Sequence, residues 1–410
     1  MQSILVIDTS YTLKMIKERK LWQALEARNS GNFFDKVISV HPFSSLVEKK
    51  RKIGNPTIVN IKDKHIFISG KIGINNFLNY FPVLNFILSQ IKLIKIIISI
   101  SVKNKVKLIR VGDPYYIGLL GLIISKIIKV PLVVRVGANY DEIVKISGKP
   151  MMKKLFKFRF IEKIVEKYVF SKCHLVLAAN KNNAKYVQEH CSKKKIVKVI
   201  RYGNLIHPIH WMHPNKRKKP VKIIKSLNLK NYKFGIVISR LEKVKQVENI
   251  IKVASEINTK YLVKFLIIGD GSELKNLINY SKKLGIDKNI IFAGNKDQIW
   301  ISHILPYCDF VLSPHGGRSL VESCLAQIPI IAYNREWQGE IIKNKKTGFL
   351  IKNNNWYGFI KKIIYILNNK KKSTSLGINA RAKIIETMYP SKINMLEQKL
   401  YKNTIKNFNK

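Results

Sequence analysis

The sequence predicts two doubly wound α/β domains in tandem, facing each other across a cleft. Three observations carry that expectation. Short apolar runs of strand length alternate with helix-length segments along nearly the whole chain, the pattern of parallel sheets wrapped by helices. The alternation lapses once, over residues 204–230, which are rich in His, Pro and Lys. And 410 residues, 46% of them hydrophobic, suit two packed cores better than one.

In the first half, the runs 3–8, 36–41, 106–112, 131–137, 174–180 and 196–203 read as buried strands, and 152–170 as a helix between two of them. In the second half the strands are 234–239, 263–269, 289–294, 310–314 and 328–333, separated by helices at 247–258, 272–285 and 319–327. The intervening 204–230 reads as a linker with a lead-in strand. The expected units are therefore 1–205 and 206–372. A basic helical segment, 373–410, is expected to pack back on the first. Open α/β sheets bind ligands beyond the carboxyl ends of their strands, so residues at those ends are the candidates for function.

Charge separates this chain from ordinary α/β enzymes. It carries 75 Lys+Arg against 25 Asp+Glu, a formal net charge of +50. Such a field calls for an anionic partner: nucleic acid, anionic lipid or a phosphorylated substrate. The basic runs at 47–52, 149–159, 191–198 and 215–225 are dispersed and each alone fits a solvated surface. No basic stripe with interleaved aromatics marks a specific nucleic-acid site. The four cysteines lack metal or redox spacing and read as reduced core thiols. The start, MQSILVIDTS, enters a strand at once and lacks the form of a signal peptide. The most apolar stretches, 81–101 and 115–134, are broken by lysines at 92, 95, 126 and 129, so neither reads as a clean membrane span. The first fits either an amphipathic helix lying on a membrane or a buried core helix.

Several strand-to-helix turns have the composition that cradles phosphate. IGDGSELKNL (268–277) and SPHGGRSLVE (313–322) place glycines just before helices. SRLEKVKQ (239–246) places Arg240 at a strand end and Lys245 five residues on. Two cations there would clamp a diphosphate and neutralise it as it leaves. Ser319 and Glu322 also spell S-x-x-E, a capping box, which would turn Glu322 toward its own backbone. Asp113, Arg135, Asn139, Tyr140 and Asp141 lie just past strand ends in the first half. Asp113 or Asp141 would orient or deprotonate an acceptor hydroxyl, or else cap a turn. Thr9 and Ser10 would bind a phosphate or cap the helix that follows. The spacing H-x2-H-x2-H in HPIHWMHP (207–214) offers metal-ligand types, but two prolines and the lack of an acid or cysteine favour a linker.

The run from ISRLEKVKQ through FLIIGDGSE, IIFAGNKDQ and LSPHGGRSLVESCLAQIPIIAY to KTGFLI resembles the donor domain of family 4 glycosyltransferases, which have the GT-B fold. The resemblance is closest over roughly 120 residues and extends more loosely over the first half. It implies that Arg240 and Lys245 contact the donor diphosphate, and that Gly294 and Asn295 lie near the nucleotide base. His315, Gly316, Gly317, Arg318 and Ser319 would lie against the diphosphate and sugar. Glu322 matches the second glutamate of the family's E-x7-E motif and would bind the ribose. The first glutamate falls at Pro314, beside His315, so the usual carboxylate at the donor sugar is missing. DTSYTLK (8–14) also stands where the family carries a glycine-rich loop.

The resemblance implies a retaining sugar transfer from a UDP- or GDP-sugar to a saccharide or polyprenyl-diphosphate-linked acceptor, in cell-surface polysaccharide or lipopolysaccharide synthesis. With no Asp-x-Asp motif in the sequence, no metal cofactor is expected. The expected location is the cytoplasm, peripherally on the anionic inner face of the plasma membrane. The other readings are a GT-B nucleotide-sugar epimerase, which would turn over its substrate without an acceptor, and a basic nucleic-acid-binding protein.

Overall fold

A computed structural model describes residues 2–48, 53–61, 64–153, 155–192, 195–258 and 261–409. The basic runs at 47–52, 149–159 and 191–198 thus lie partly outside the described residues. The chain divides into two compact units. Unit 1 comprises Met1–Leu205 with Pro390–Lys410, and unit 2 is Ile206–Tyr389.

Unit 1 is built on an eight-stranded sheet ordered β3-β4-β2-β1-β5-β6-β7-β8. The strands are β1 Ser3–Ile7, β2 Lys36–His41, β3 Thr57–Ile61, β4 His65–Ser69, β5 Val106–Val111, β6 Leu132–Val136, β7 Leu175–Ala178 and β8 Val197–Val199. All neighbours pair in parallel except β3 with β4. Strand residues alternate between two cores, as the two-residue period requires. Leu5 and Ile7 face a layer formed by the helices Pro82–Lys103, Tyr116–Ile128 and Arg159–Lys172. Ile4 and Val6 face Ile393 and Tyr401 of the helix Pro390–Phe408. That helix is fixed by Glu397, which is fully buried and takes the Arg135 guanidinium at 2.6 Å and the Ser30 hydroxyl at 2.8 Å.

Unit 2 has a six-stranded parallel sheet ordered β11-β10-β9-β12-β13-β14. Its strands are β9 Lys233–Ile238, β10 Val263–Ile268, β11 Ile290–Gly294, β12 Phe310–Ser313, β13 Ile330–Tyr333 and β14 Phe349–Ile351. Counted within the unit, this is the order 3-2-1-4-5-6 of a dinucleotide-binding sheet, with its topological switch between β9 and β12.

Each strand expected as an apolar run forms, the lead-in strand expected within 204–230 does not, and three others were not anticipated. β3 and β4 are short and partly exposed, with polar residues breaking the apolar run. β14 lies in KTGFLI, which reads as a turn. The helix expected at 152–170 begins only at Arg159, and its Glu162 turns back to accept the Met152 amide at 2.6 Å. Residues 204–230 are not a bare linker. They form short helices, Pro208–Trp211 and Val221–Ser226, belonging to unit 2. The buried Arg217 secures them by donating to the carbonyls of His210, Met212, Ser302 and Leu325. The terminal segment expected at 373–410 is divided. Lys370–Met388 packs within unit 2 and Pro390–Phe408 within unit 1, the chain changing units at Tyr389–Pro390. The helix Pro82–Lys103 is long and apolar enough to cross a membrane, yet it packs on unit 1 through a face that buries Asn85, Ser89, Gln90, Leu93, Ile97 and Ser101.

Candidate active site

In unit 2, the switch point brings together the loops after β9 and β12. Arg240 is exposed just past β9 and Lys245 ends a single 3-10 turn, Lys243–Lys245, followed by Gln246 at φ +53. After β12, Gly317 caps the helix Arg318–Leu325 with no side-chain hydrogen bond to its first turn. The capping box that Ser319 and Glu322 spell, the alternative to ligand contact, therefore does not form. Ser319 instead donates to the Ile238 carbonyl at the end of β9, at 3.0 Å. An uncapped helix start leaves amide groups available to an anion. Gly316 is required by close packing, since a Cβ there would come within 2.7 Å of the Gln338 side chain. Gln338 accepts from the Gly316 amide and donates to the Ser313 carbonyl, both at 2.8 Å, which fixes the loop.

Glu322 lies in the second turn of this helix and is 5% exposed. Burial pushes its carboxyl up to about 7, against a smaller opposing pull from Arg318. Such a group is costly for stability and typical of a functional position. Gly294 ends β11 at φ +69, and Asn295 follows it, exposed.

A feature that sequence reasoning missed occupies the place of the absent glutamate. Lys245 Nζ lies 2.9 Å from Nδ1 of His315, and Nε2 of His315 lies 3.2 Å from Glu336. Nδ1 also lies 3.1 Å from the Gly316 carbonyl oxygen, so the ring is held between Lys245, the loop backbone and Glu336. Burial opposes the ionisation of Glu336, but the hydrogen bond and charge of His315 outweigh it and hold the carboxyl below its ordinary value. Burial first, then the charge of Arg240, lowers Lys245 to about 8. Glu336 follows β13 at φ +48, a left-handed conformation uncommon for a non-glycine residue. Its neighbour Arg335 is 8% exposed, and both terminal guanidinium nitrogens are buried without a hydrogen-bond partner among the described residues. A buried cation left so calls for an anion. The one sequence signal for this pair is its position just past a strand's carboxyl end.

In unit 1, the switch point lies between β1 and β5. Asp8 follows β1, accepts from the Ser10 amide at 2.7 Å and pairs with the buried Arg28 at 3.6 Å. Sequence reasoning passed over Asp8. Asp113, past β5, accepts from the Tyr115 amide at 2.9 Å, so it does shape its turn. Burial, with Asp8 and Glu162 nearby, still raises it to about 7, suited to proton transfer near neutrality. Asp141 is differently placed. It pairs with Arg159 at 3.0 Å, Lys163 at 3.4 Å and His190 at 3.0 Å, and despite burial these hold its carboxyl below the ordinary value. That makes it a poor base and a good anchor. Arg135 is committed to Glu397, Asn139 caps the helix Tyr140–Ser147, and Tyr140 packs edge-on against Tyr115 and Tyr186. Thr9 and Ser10 do not cap the next helix; Thr12 does. The three histidines of 207–214 diverge: His207 and His213 cap helical turns, while His210 is buried against Gln298. Among the described residues no cluster of three His, Cys, Asp or Glu side chains could hold a metal.

Two Rossmann-like units, the second with its cations and open helix start at the switch point, define the class: the fold is GT-B. Residues 219–383 match the family described as glycosyl transferases group 1. N-acetyl-alpha-D-glucosaminyl L-malate synthase of Bacillus anthracis is 25% identical over 178 residues, 42% of this chain and 46% of that protein. Poly(ribitol-phosphate) alpha-N-acetylglucosaminyltransferase of Staphylococcus aureus is 26% identical over 153 residues, 36% of this chain and 31% of that protein. The chain thus spans less than half the length of these two curated relatives. Among solved structures, HepE of Anabaena in complex with UDP-glucose superposes with a TM-score of 0.73 at 18% identity, covering 98% of this chain and 99% of that one.

Proposed function

We propose that this chain is a glycosyltransferase that moves a sugar from a nucleotide-sugar donor to a saccharide or lipid-linked acceptor, in the synthesis of a cell-surface glycan. The observation that carries the reading is the meeting of Arg240, Lys245 and an uncapped helix start at the switch point of a 3-2-1-4-5-6 sheet. Transfer requires a nucleoside diphosphate to depart with its negative charge neutralised. Two cations and the helix dipole neutralise it without a metal. The UDP-glucose bound to the structurally similar HepE favours a UDP-sugar.

In this reading Glu322 accepts hydrogen bonds from the ribose, and Gly294 and Asn295 border the base. Glu336, held by His315, takes over the donor-sugar contact for which position 314 offers only proline. Arg335 supplies a third cation to the diphosphate or the sugar. In unit 1, Asp113 is the group poised to receive the acceptor's proton, while Asp141 anchors Arg159 and the start of its helix. Retention of configuration follows if the departing phosphate and the incoming hydroxyl share one face of the sugar.

The test is release of nucleoside diphosphate from a panel of UDP- and GDP-sugars, with and without a polyprenyl-diphosphate-linked acceptor. Acceptor-dependent release, lost in Arg240→Ala, supports the proposal. Turnover of the sugar nucleotide without any acceptor favours an epimerase.

A further inference from the structure

The first half of the helix Pro82–Lys103 is packed inside out. One face buries Asn85, Ser89 and Gln90 there, then Leu93, Ile97 and Ser101 further along. Asn85 accepts from the Ile74 amide at 2.7 Å and donates to the Asn75 carbonyl at 2.9 Å. Ser89 and Gln90 donate to the Lys71 carbonyl, and Gln90 accepts from the Tyr116 hydroxyl at 2.7 Å. Apolar residues point outward: Val83 is 71% exposed, and Phe81, Leu84, Ile87 and Ile91 are exposed with it. Just before the helix, Tyr80 is 84% exposed.

The exposure continues on the next two helices of the same layer. Ile123 and Ile127 face outward on Tyr116–Ile128, and Phe160, Ile164 and Tyr168 on Arg159–Lys172. Each of the three helices leads into a parallel strand, β5, β6 or β7. Their N-termini therefore lie at one edge, the edge of the carboxyl strand ends, where Asp8 and Asp113 sit. The exposed aromatics crowd that edge, Tyr80 and Phe81 before one helix and the stacked pair Phe158 and Phe160 at another.

Charge says what covers this face. The three helices contain only two acidic residues, Glu162 and Glu166, and both are fully buried. Outward positions carry Lys95, Lys126, Lys163 and Lys167, and Lys157 is exposed just before the third helix. A second copy of the chain would set lysine against lysine. Aromatic and aliphatic side chains ringed by lysines, with no exposed acid on the helices, match an anionic bilayer interface. Spanning the membrane with Pro82–Lys103 would strip Asn85, Ser89 and Gln90 of their partners, which lipid cannot replace.

We propose that this three-helix face of unit 1 docks flat on an anionic lipid surface and brings the carboxyl edge of its sheet to the headgroups. This adds to the transferase reading a route to a lipid-linked acceptor. Docking is read without any donor, so failure of one proposal is distinguishable from failure of the other.

The experiment is flotation of the full chain with vesicles of phosphatidylcholine alone or with 30% phosphatidylglycerol (about the charge density of an anionic leaflet). Wild type is expected to float with the anionic vesicles, and binding should fall when salt rises to about 1 M, where the Debye length is about 3 Å. Val83→Ser combined with Phe160→Ser should weaken partition at least about tenfold. Lys157→Glu combined with Lys167→Glu should do the same, leaving the melting temperature and donor-only nucleotide binding unchanged. Absence of wild-type flotation on anionic vesicles overturns the proposal. So does undiminished binding by both variants, or a dimer in light scattering that Val83→Ser with Phe160→Ser converts to monomer.

Discussion

Replacing Glu322 by glutamine separates a ligand-binding carboxylate from a helix cap. In the folded chain the Glu322 carboxyl is raised from its ordinary 4.5 to about 7 by burial. Below pH 4.5 the group is protonated in both folded and unfolded chains and costs nothing. Between 4.5 and 7 the unfolded chain ionises while the folded one resists, so a destabilisation grows. Above 7 it is complete. At about 1.4 kcal/mol per pKa unit the full cost is about 3 kcal/mol. Glutamine cannot ionise and escapes it. Glu322→Gln without ligand should therefore melt higher than wild type at pH 8, by several degrees and up to about 10 °C for a unit of this size. At pH 4.5 the two should differ little. The same variant should lose most of the stabilisation that a nucleoside diphosphate gives wild type, because the charged acceptor for the ribose is gone. Thermal unfolding at the two pH values, with and without UDP and GDP, reads all of this. A variant that melts lower than wild type at both pH values would refute the reasoning, because it would give the carboxylate a structural partner worth more than its burial.

Lys245 sets the alkaline side of activity. With its amine lowered to about 8, it is about 90% charged at pH 7 and about 9% at pH 9, so kcat/KM should fall about tenfold across that interval; Lys245→Arg should carry the fall to higher pH, and a profile unchanged by that substitution would contradict the assignment. Glu336→Gln keeps an acceptor for His315 but removes the charge that supports protonated Lys245. It should shift the alkaline fall to lower pH and weaken productive donor binding about tenfold, a charged hydrogen bond being worth about 1.5–3 kcal/mol, while UDP alone binds nearly as before in titration calorimetry. Gly316→Ala should push the Gln338 side chain from its 2.7 Å approach and loosen the loop, lowering UDP affinity with little change in melting temperature. Asp141→Asn should cost more stability than catalysis, because its carboxylate is committed to Arg159, Lys163 and His190; a loss confined to kcat would make it the acceptor's base.

The strands that carry the site were legible because each is a compact run of buried aliphatics. β9 and β12 could be placed to within a residue or so, and with them Arg240 and the glycine loop. Strands at the margins were not, since β3 and β4 expose one face and mix polar residues into it. Side-chain partnerships also escaped. Glu336 is far from His315 in sequence and meets it only because β12 and β13 are neighbours whose ends turn the same way. The capping box does not form because Gly317, not Ser319, is the cap of a helix that begins at Arg318. The ambiguity of the 81–101 stretch came from its composition. Its apolar residues fit either a membrane surface or a core, and the structure divides them, turning Asn85, Ser89 and Gln90 inward with Leu93 and Ile97 and leaving Val83, Leu84, Ile87 and Ile91 exposed.

The central claim is that unit 2 holds a nucleotide sugar by Arg240, Lys245 and the Arg318–Leu325 helix start for transfer to an acceptor. Quantifying nucleoside diphosphate released from UDP- and GDP-sugars, with a lipid-linked acceptor present or withheld, tests it most directly. The account predicts release with at least one donor, dependent on the acceptor and reduced by Arg240→Ala or Lys245→Met. No release with any donor in the presence of acceptor, or release indifferent to both substitutions, would contradict it.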